Sequence, residues 1–154
     1  MLTIVDEYSR RYFVDFLKSK SETADKLIEF IERKENETGQ KVKNFRSDNG
    51  TEFTNDTLQE YFKKKGIKHE RTTIYSPQSN GIAERANRTL VEMARTLLIA
   101  AGLTLMFWAE AVWTASYLHD LSPTKKRDQV PLEIWKNKKP SVRHLRVFGC
   151  KVFY

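Results

Sequence analysis

Residues 46–53 read RSDNGTEF and residues 76–88 read SPQSNGIAERANR, and these two stretches decide the fold. In the first, Val42–Ser47 has a strand pattern that the turn formers DNG bring to an end. In the second, the loop formers SPQSNG precede a long helix. An acid follows the strand and another lies early on the helix. Strand ends and helix starts are the places where α/β folds locate their chemistry.

The rest of the chain alternates between strand and helix patterns. Leu2–Val5 and Arg11–Leu17 predict the strands of a hairpin, with the polar segment Asp6–Arg10 as its turn. Ser19 and Glu22 have the spacing of a capping box and predict the start of a helix. Later signals predict the end of that helix at Gly39, a short helix up to Gly66, a strand over Ile67–Arg71, a helix after Gly102 and a strand over Leu145–Tyr154.

This order of elements predicts an α/β domain with a mixed sheet flanked by helices. We expect residues 1–122 to form the core and residues 123–154 to form a C-terminal extension that ends in a final strand. The extension begins with a basic loop between Pro123 and Pro131. The predicted buried face of the long helix consists of Ile82, Ala86, Leu90, Met93, Leu97 and Ala101.

Composition points to a globular domain with an affinity for polyanions. The 154 residues suffice for one core, and 27 Lys and Arg against 20 Asp and Glu give a net charge of +7. Nucleic acid is the commonest polyanion, although a solvated basic face gives the same charge. No run approaches the roughly 18 apolar residues of a membrane span, so we expect no membrane partner. The single Cys150 excludes an internal disulfide, and His69, His119 and His144 lack the spacing of metal ligands.

Asp48 and Glu84 are the candidate catalytic and metal-binding residues, and 35 residues lie between them. Hard cations such as Mg²⁺ prefer oxygen ligands, so two carboxylates in contact can share one. Phosphoryl transfer on DNA uses a pair of such ions about 3.5–4 Å apart. The alternative is structural: Asp48 belongs to an ordinary turn, and Glu84 favours a helix N-terminus.

The two quoted stretches resemble the signature blocks of copia-type retrotransposon integrases. The segments IVDEYSR (4–10), FWAEA (107–111) and HLRVFG (144–149) are also similar to that family, so the resemblance covers essentially the whole chain. It implies an RNase H-like fold with a D,D-35-E triad that binds two Mg²⁺ (or Mn²⁺) ions. In that triad Asp48 is the second carboxylate and Glu84 is the third. The implied enzyme is a polynucleotidyl transferase that trims the 3′ ends of the element's DNA and joins them to target DNA.

By the same resemblance, the family's first carboxylate lies on the strand before the one that opens this chain. We therefore expect a fragment of a polyprotein that lacks the first strand and is inactive alone. Asp6 is not a replacement, because in the family pattern it occupies the turn after the second strand. The alternative is a catalytically dead module of the same fold that binds nucleic acid.

The resemblance also implies the partners: the element ends, the target DNA and further copies of the chain, with a nuclear location that follows from the substrate. The loop before Glu84 carries amide side chains that can donate to phosphates or base edges. Arg88 lies one helical turn beyond Glu84, within reach of a phosphate; alternatively it pairs with Glu84 or Glu92 on the helix surface. The DNA-binding candidates are Gln78, Asn80, Asn87 and Arg88.

Overall fold

The chain folds as a mixed α/β protein, as predicted. The structure, a computed structural model, describes residues 1–72, 77–123 and 128–151, and for residues 77–80 the backbone alone. The strands are β1 (Leu2–Val5), β2 (Tyr12–Asp15), β3 (Asn44–Ser47) and β4 (Lys68–Arg71). The α-helices are α1 (Thr23–Thr38), α2 (Asp56–Lys65), α3 (Pro77–Ala101), α4 (Trp108–Asp120) and α5 (Pro131–Lys136).

The chain divides into two compact units. The first comprises Met1, Thr3–Val14 and Ile82–Tyr154, and the second comprises Leu2 and Asp15–Gly81. Apart from the end residues Leu2 and Asp15, the hydrogen-bonded pair β1–β2 belongs to the first unit. The parallel pair β3–β4 belongs to the second unit, with Phe45 opposite His69 and Ser47 opposite Arg71.

In the first unit, the turn after β1 is closed by Asp6. Its Oδ2 accepts hydrogen bonds from the backbone N–H of Ser9 at 2.7 Å and from the Ser9 hydroxyl at 2.6 Å. Strand β2 is joined to α4, because the Ser116 hydroxyl donates to the carbonyl of Tyr12 at 2.7 Å. The buried residues of α3 are Ala86, Leu90, Ala94 and Leu98, whereas Ile82, Met93, Leu97 and Ala101 are only half-buried. The predicted face was therefore correct at two positions and displaced elsewhere.

In the second unit, α1 and α2 pack through a small apolar core. Leu27 and Ile31 of α1 and Leu58 and Phe62 of α2 are buried. Helix α1 ends at Gly39 in the left-handed conformation (φ 68°), as predicted. The predicted capping box was wrong. A 3-10 turn over Lys20–Glu22 precedes α1, and no side-chain cap forms there; the Ser19 hydroxyl pairs instead with that of Ser21.

Two further expectations differ from the structure, and one helix lies where no element was predicted. The SPQSNG segment is helical from Pro77 onward, since proline suits the first turn of a helix. The segment after the basic loop forms α5. In place of the predicted strand, residues 145–151 are irregular apart from a turn at residues 148–149, and residues 152–154 lie outside the described part. At Gly149 (φ +77°) a Cβ would lie 2.6 Å from the Cβ of Ala101, so the turn packs its backbone against the end of α3. Among the helices in the described residues, none is both long and apolar enough to cross a membrane.

Candidate active site

Asp48 is exposed and directly follows β3, so the predicted placement of this acid at a strand end is confirmed. Its Oδ1 accepts a hydrogen bond from the backbone N–H of Gly50 at 3.1 Å, the arrangement of an Asx turn. The Asn49 side chain donates to the carbonyl of Thr72 at 2.8 Å, just beyond β4. The turn is therefore tied to both strands of the second unit.

Glu52 is a second carboxylate close to Asp48. It lies in a 3-10 turn over Thr51–Phe53. A Cβ built on Gly50 would lie 2.7 Å from Glu52 Oε2 and 3.0 Å from Asp48 Oδ1, so the two carboxylates converge over Gly50. Because the φ of Gly50 is −56°, glycine serves here to leave room and not to relieve backbone strain. The sequence did not single out Glu52; its only signal is an acid four residues after Asp48.

A chain of hydrogen bonds leads from α2 to Asp48. The Gln59 side-chain amide nitrogen lies 3.0 Å from Nδ1 of His69 and also donates to the carbonyl of Phe53 at 3.1 Å. Nε2 of His69 lies 2.9 Å from the Ser47 hydroxyl, which donates to the carbonyl of Asp48 at 2.8 Å. An amide nitrogen only donates, so Nδ1 accepts and the imidazole proton sits on Nε2.

His69 lies among aromatic rings. Its ring centroid is 5.6 Å from that of Phe45 and 5.2 Å from that of Phe62. Burial lowers the pKa of His69, and the positive charge of Arg71 lowers it further. The imidazole is therefore neutral at pH 7, which agrees with an accepting Nδ1. The sequence showed only that His69 lacks the spacing of a metal ligand, because no linear signal links it to Gln59 and Ser47.

Helix α3 exposes Glu84, Asn87 and Arg88 to solvent. These residues lie within about one turn of the helix. Within the described part of the chain, Arg88 makes no ion pair with Glu84 or with Glu92, so the alternative of a surface pair is not supported. The guanidinium is available to an anion. The side chains of the other two DNA-binding candidates, Gln78 and Asn80, lie outside the described residues, and their backbone is helical rather than looped.

Asp48 belongs to the second unit and Glu84 to the first. Over residues 1–72, 81–123 and 128–151, no group of three or more His, Cys, Asp or Glu side chains is arranged to hold a metal ion. What the second unit offers is a pair of oxygen donors, Asp48 and Glu52, beside one exposed turn. Carboxylates at an exposed position suit a hard cation that keeps part of its water shell, as Mg²⁺ does.

Known sequences include a family model and a relative that match this chain. Residues 1–77 match the family model "Integrase core domain". The chain is also similar to the retrovirus-related Pol polyprotein from transposon TNT 1-94 of Nicotiana tabacum, with 44% identity over 153 residues. That alignment covers 99% of this chain and 12% of the tobacco polyprotein.

Two solved structures have a similar fold. The integrase catalytic core domain of HTLV-2, determined in complex with magnesium in a trimeric form, has a TM-score of 0.64 and 21% identity over 85% of this chain and 80% of that one. A simian T-cell lymphotropic virus intasome in complex with PP2A regulatory subunit B56 gamma contains a chain with a TM-score of 0.69 and 19% identity, over 97% of this chain and 51% of that one. Such integrase catalytic cores have the RNase H-like fold, which confirms the predicted fold class.

Proposed function

Because this chain belongs to the integrase core domain family, we propose that it serves as the integrase core of a retrotransposon Pol polyprotein and acts in DNA integration. The observation that carries this proposal is the exposed carboxylate of Asp48 at the end of β3, with that of Glu52 converging on it over Gly50. The high identity to a transposon polyprotein supports the retrotransposon origin. A second candidate acid, Glu84, is exposed on α3.

The proposed reaction is polynucleotidyl transfer. Water first cleaves a phosphodiester near each 3′ end of the element. The freed 3′-hydroxyl then releases its proton, and its oxygen bonds to a target phosphorus. That phosphorus loses its bond to the target's 3′ oxygen, which takes up a proton and leaves as a hydroxyl. Asp48 and Glu84 would each supply oxygen ligands for Mg²⁺ or Mn²⁺, and Glu52 would add negative charge near Asp48. The ions, when bound, stabilise the charge that develops on the phosphate oxygens.

We propose that these carboxylates hold the cations weakly without a further ligand. The resemblance to copia-type integrases assigns a first catalytic carboxylate to a strand before β1. Adjacent divalent ions need sufficient negative charge and fixed oxygens to stay bound. A third carboxylate ligand is therefore expected to strengthen cation binding at Asp48 and Glu84.

DNA contacts are proposed for Arg88 and Asn87, with Gln78 and Asn80 as further candidates near the start of α3. Arg88 is exposed and lies one turn from Glu84, so a phosphate held by its guanidinium would be near that carboxylate. The net charge of +7 favours binding to DNA in general. We also propose that the protein self-associates into a multimer. It would act in the nucleus, where the target DNA lies. The trimeric form of the HTLV-2 core supports the multimer.

The decisive experiment is a Mg²⁺-dependent strand-transfer assay on an integrase that includes this chain. Asp48→Asn and Glu84→Gln each remove one metal-binding charge, and each should reduce transfer by at least about a hundredfold, given the several kcal/mol that a metal supplies to the transition state. Asp56→Asn and Glu92→Gln are matched controls, because both acids are exposed and lie in the same unit as the residue they match.

Retained transfer in both test variants would remove the proposed catalytic roles. Loss of transfer in the control variants to the same degree would show that net charge, and not the position of the carboxylate, is responsible. DNA binding that survives in every variant, with no transfer in the unaltered protein, would instead favour a module that only binds nucleic acid.

A further inference from the structure

We propose that His69 is a positioning residue for integration: a directed chain of hydrogen bonds from Gln59 through His69 and Ser47 holds Asp48 ready for the metal. The inference rests on the proposed function, in which Asp48 is a metal ligand. His69 touches neither the DNA nor the cation in this scheme. It acts on the reaction through the peptide group of Asp48.

The donor and acceptor groups of the side chains fix the direction of this chain of hydrogen bonds. The Gln59 amide nitrogen carries two hydrogens, and the carbonyl of Phe53 and Nδ1 of His69 accept one each. Rotating the amide by half a turn would place its oxygen against the Phe53 carbonyl, with no hydrogen between them. Nε2–H of His69 therefore donates to the Ser47 oxygen, and the Ser47 hydrogen is left to donate to the Asp48 carbonyl.

Packing alone does not explain a histidine at this position. His69 sits in contact with the rings of Phe45 and Phe62, where an apolar side chain would fill the space without a desolvation cost. Ser47 is 6% exposed, so its hydroxyl is also buried and needs partners. Each polar group in the chain satisfies the next, and the last acceptor is the backbone of the candidate metal ligand.

The chain of hydrogen bonds is one of three attachments that hold the turn that bears Asp48. The carbonyl of Asp48 accepts from Ser47, its Oδ1 accepts from Gly50 N–H, and the side chain of Asn49 donates to Thr72. With the peptide plane and one carboxylate oxygen fixed, the carboxylate loses little rotational freedom when it binds a cation. Groups that orient a metal ligand typically change metal affinity when removed.

The test measures Mn²⁺ binding to this chain from the loss of the free-ion signal in electron paramagnetic resonance. The substitutions are Ser47→Val and Ser47→Thr. Valine and threonine side chains have nearly the same shape, but only threonine keeps the hydroxyl. Valine should weaken Mn²⁺ binding about fivefold, the effect of one lost hydrogen bond, and threonine should stay within about twofold of the unaltered chain. Ser116→Val is the control, since Ser116 is a buried serine of the other unit that also donates to a backbone carbonyl.

Gln59→Met tests the far end of the chain without altering Ser47, and it should weaken Mn²⁺ binding in the same direction. Binding is measured well below the melting temperature of each variant, followed by circular dichroism. Equal Mn²⁺ affinity in the valine and threonine variants would overturn the positioning role of His69, provided that Asp48→Asn weakens binding. If Asp48→Asn leaves Mn²⁺ binding unchanged, the proposed metal role of Asp48 fails, and the positioning role fails with it.

Discussion

Removing the charge of Asp120 should destabilise the first unit strongly. The Asp120 side chain is 3% exposed and its Oδ2 accepts from Nε of Arg11 at 2.6 Å, while Oδ1 accepts from the backbone N–H of Tyr12 at 3.3 Å. Asp120→Asn keeps the shape but offers only one oxygen. The amide can serve Arg11 or Tyr12 but not both, and the guanidinium loses its counter-charge.

The expected loss follows from the burial of both partners. Breaking a buried ion pair by removing one charge costs about 3–5 kcal/mol. Arg11 is 14% exposed and lies 4.6 Å from the Phe13 ring and 5.4 Å from the Trp135 ring, so water and the aromatic faces retain part of its stabilisation. We therefore expect the lower end, about 3 kcal/mol. For a protein of this size that corresponds to a fall of about 6–12 °C in Tm.

Thermal and urea unfolding, followed by circular dichroism, measure this loss. The surface pair Lys26–Glu29 provides the control, because both side chains are largely exposed and Glu29→Gln should leave Tm unchanged. The double variant Arg11→Met with Asp120→Asn should lose less stability than the two single changes added together, since no charge is left unpaired. Additive losses, or a loss below about 1 kcal/mol for Asp120→Asn, would refute the buried ion pair.

Two other changes test the DNA contact and a carboxylate of the second unit. Arg88→Ala should weaken DNA binding and reduce the slope of log K against log salt by about 0.9, the effect of one phosphate contact; an unchanged slope in fluorescence anisotropy titrations contradicts the contact. Burial acts to raise the pKa of Glu35, but the N–H of Val42 and the cations Lys41 and Lys65 outweigh it and lower the pKa below the usual 4.5. Stability from Glu35 is therefore present above pH 4.5 and lost as the pH falls through the lowered pKa. Glu35→Gln should cost about 1.5–3 kcal/mol at pH 7, and its deficit against the unaltered chain should shrink on acidification; a constant deficit in unfolding curves across pH 2–7 would contradict this assignment.

The sequence predicted the elements whose signals are local. Gly39 and Gly66 end α1 and α2 in the left-handed conformation, as their positions after apolar periodic segments indicated. The acid at the end of β3 was also placed correctly, because a strand pattern followed by DNG has few other readings. Errors arose where two local rules competed. Pro77 begins a helix within a segment whose composition is that of a loop.

Interactions between distant residues had no signal in the sequence. Arg11 and Asp120 are 109 positions apart, and Ser47 and His69 are 22 apart. Each pair forms because packing brings two elements together. The pattern of apolar residues along the sequence predicts the elements, but it does not predict which polar side chains meet when they pack. The predicted buried face of α3 shows that periodicity is also a limited guide to burial. Ala94 is buried and Met93 only half-buried, since the neighbouring surface and not the periodicity decides which side chain is covered.

The structure also separates two acids that the sequence presents in similar settings. Asp6 and Asp48 each follow a short strand and each begin a turn. Oδ2 of Asp6 accepts two hydrogen bonds from Ser9, a residue that is only 1% exposed, so a cation bound there would deprive the buried donors of Ser9 of their acceptor. Oδ1 of Asp48 accepts one hydrogen bond, from Gly50, and its carboxylate is exposed beside that of Glu52. A cation would compete with one hydrogen bond at Asp48 and with two at Asp6, which favours the Asp48 turn for the proposed metal site.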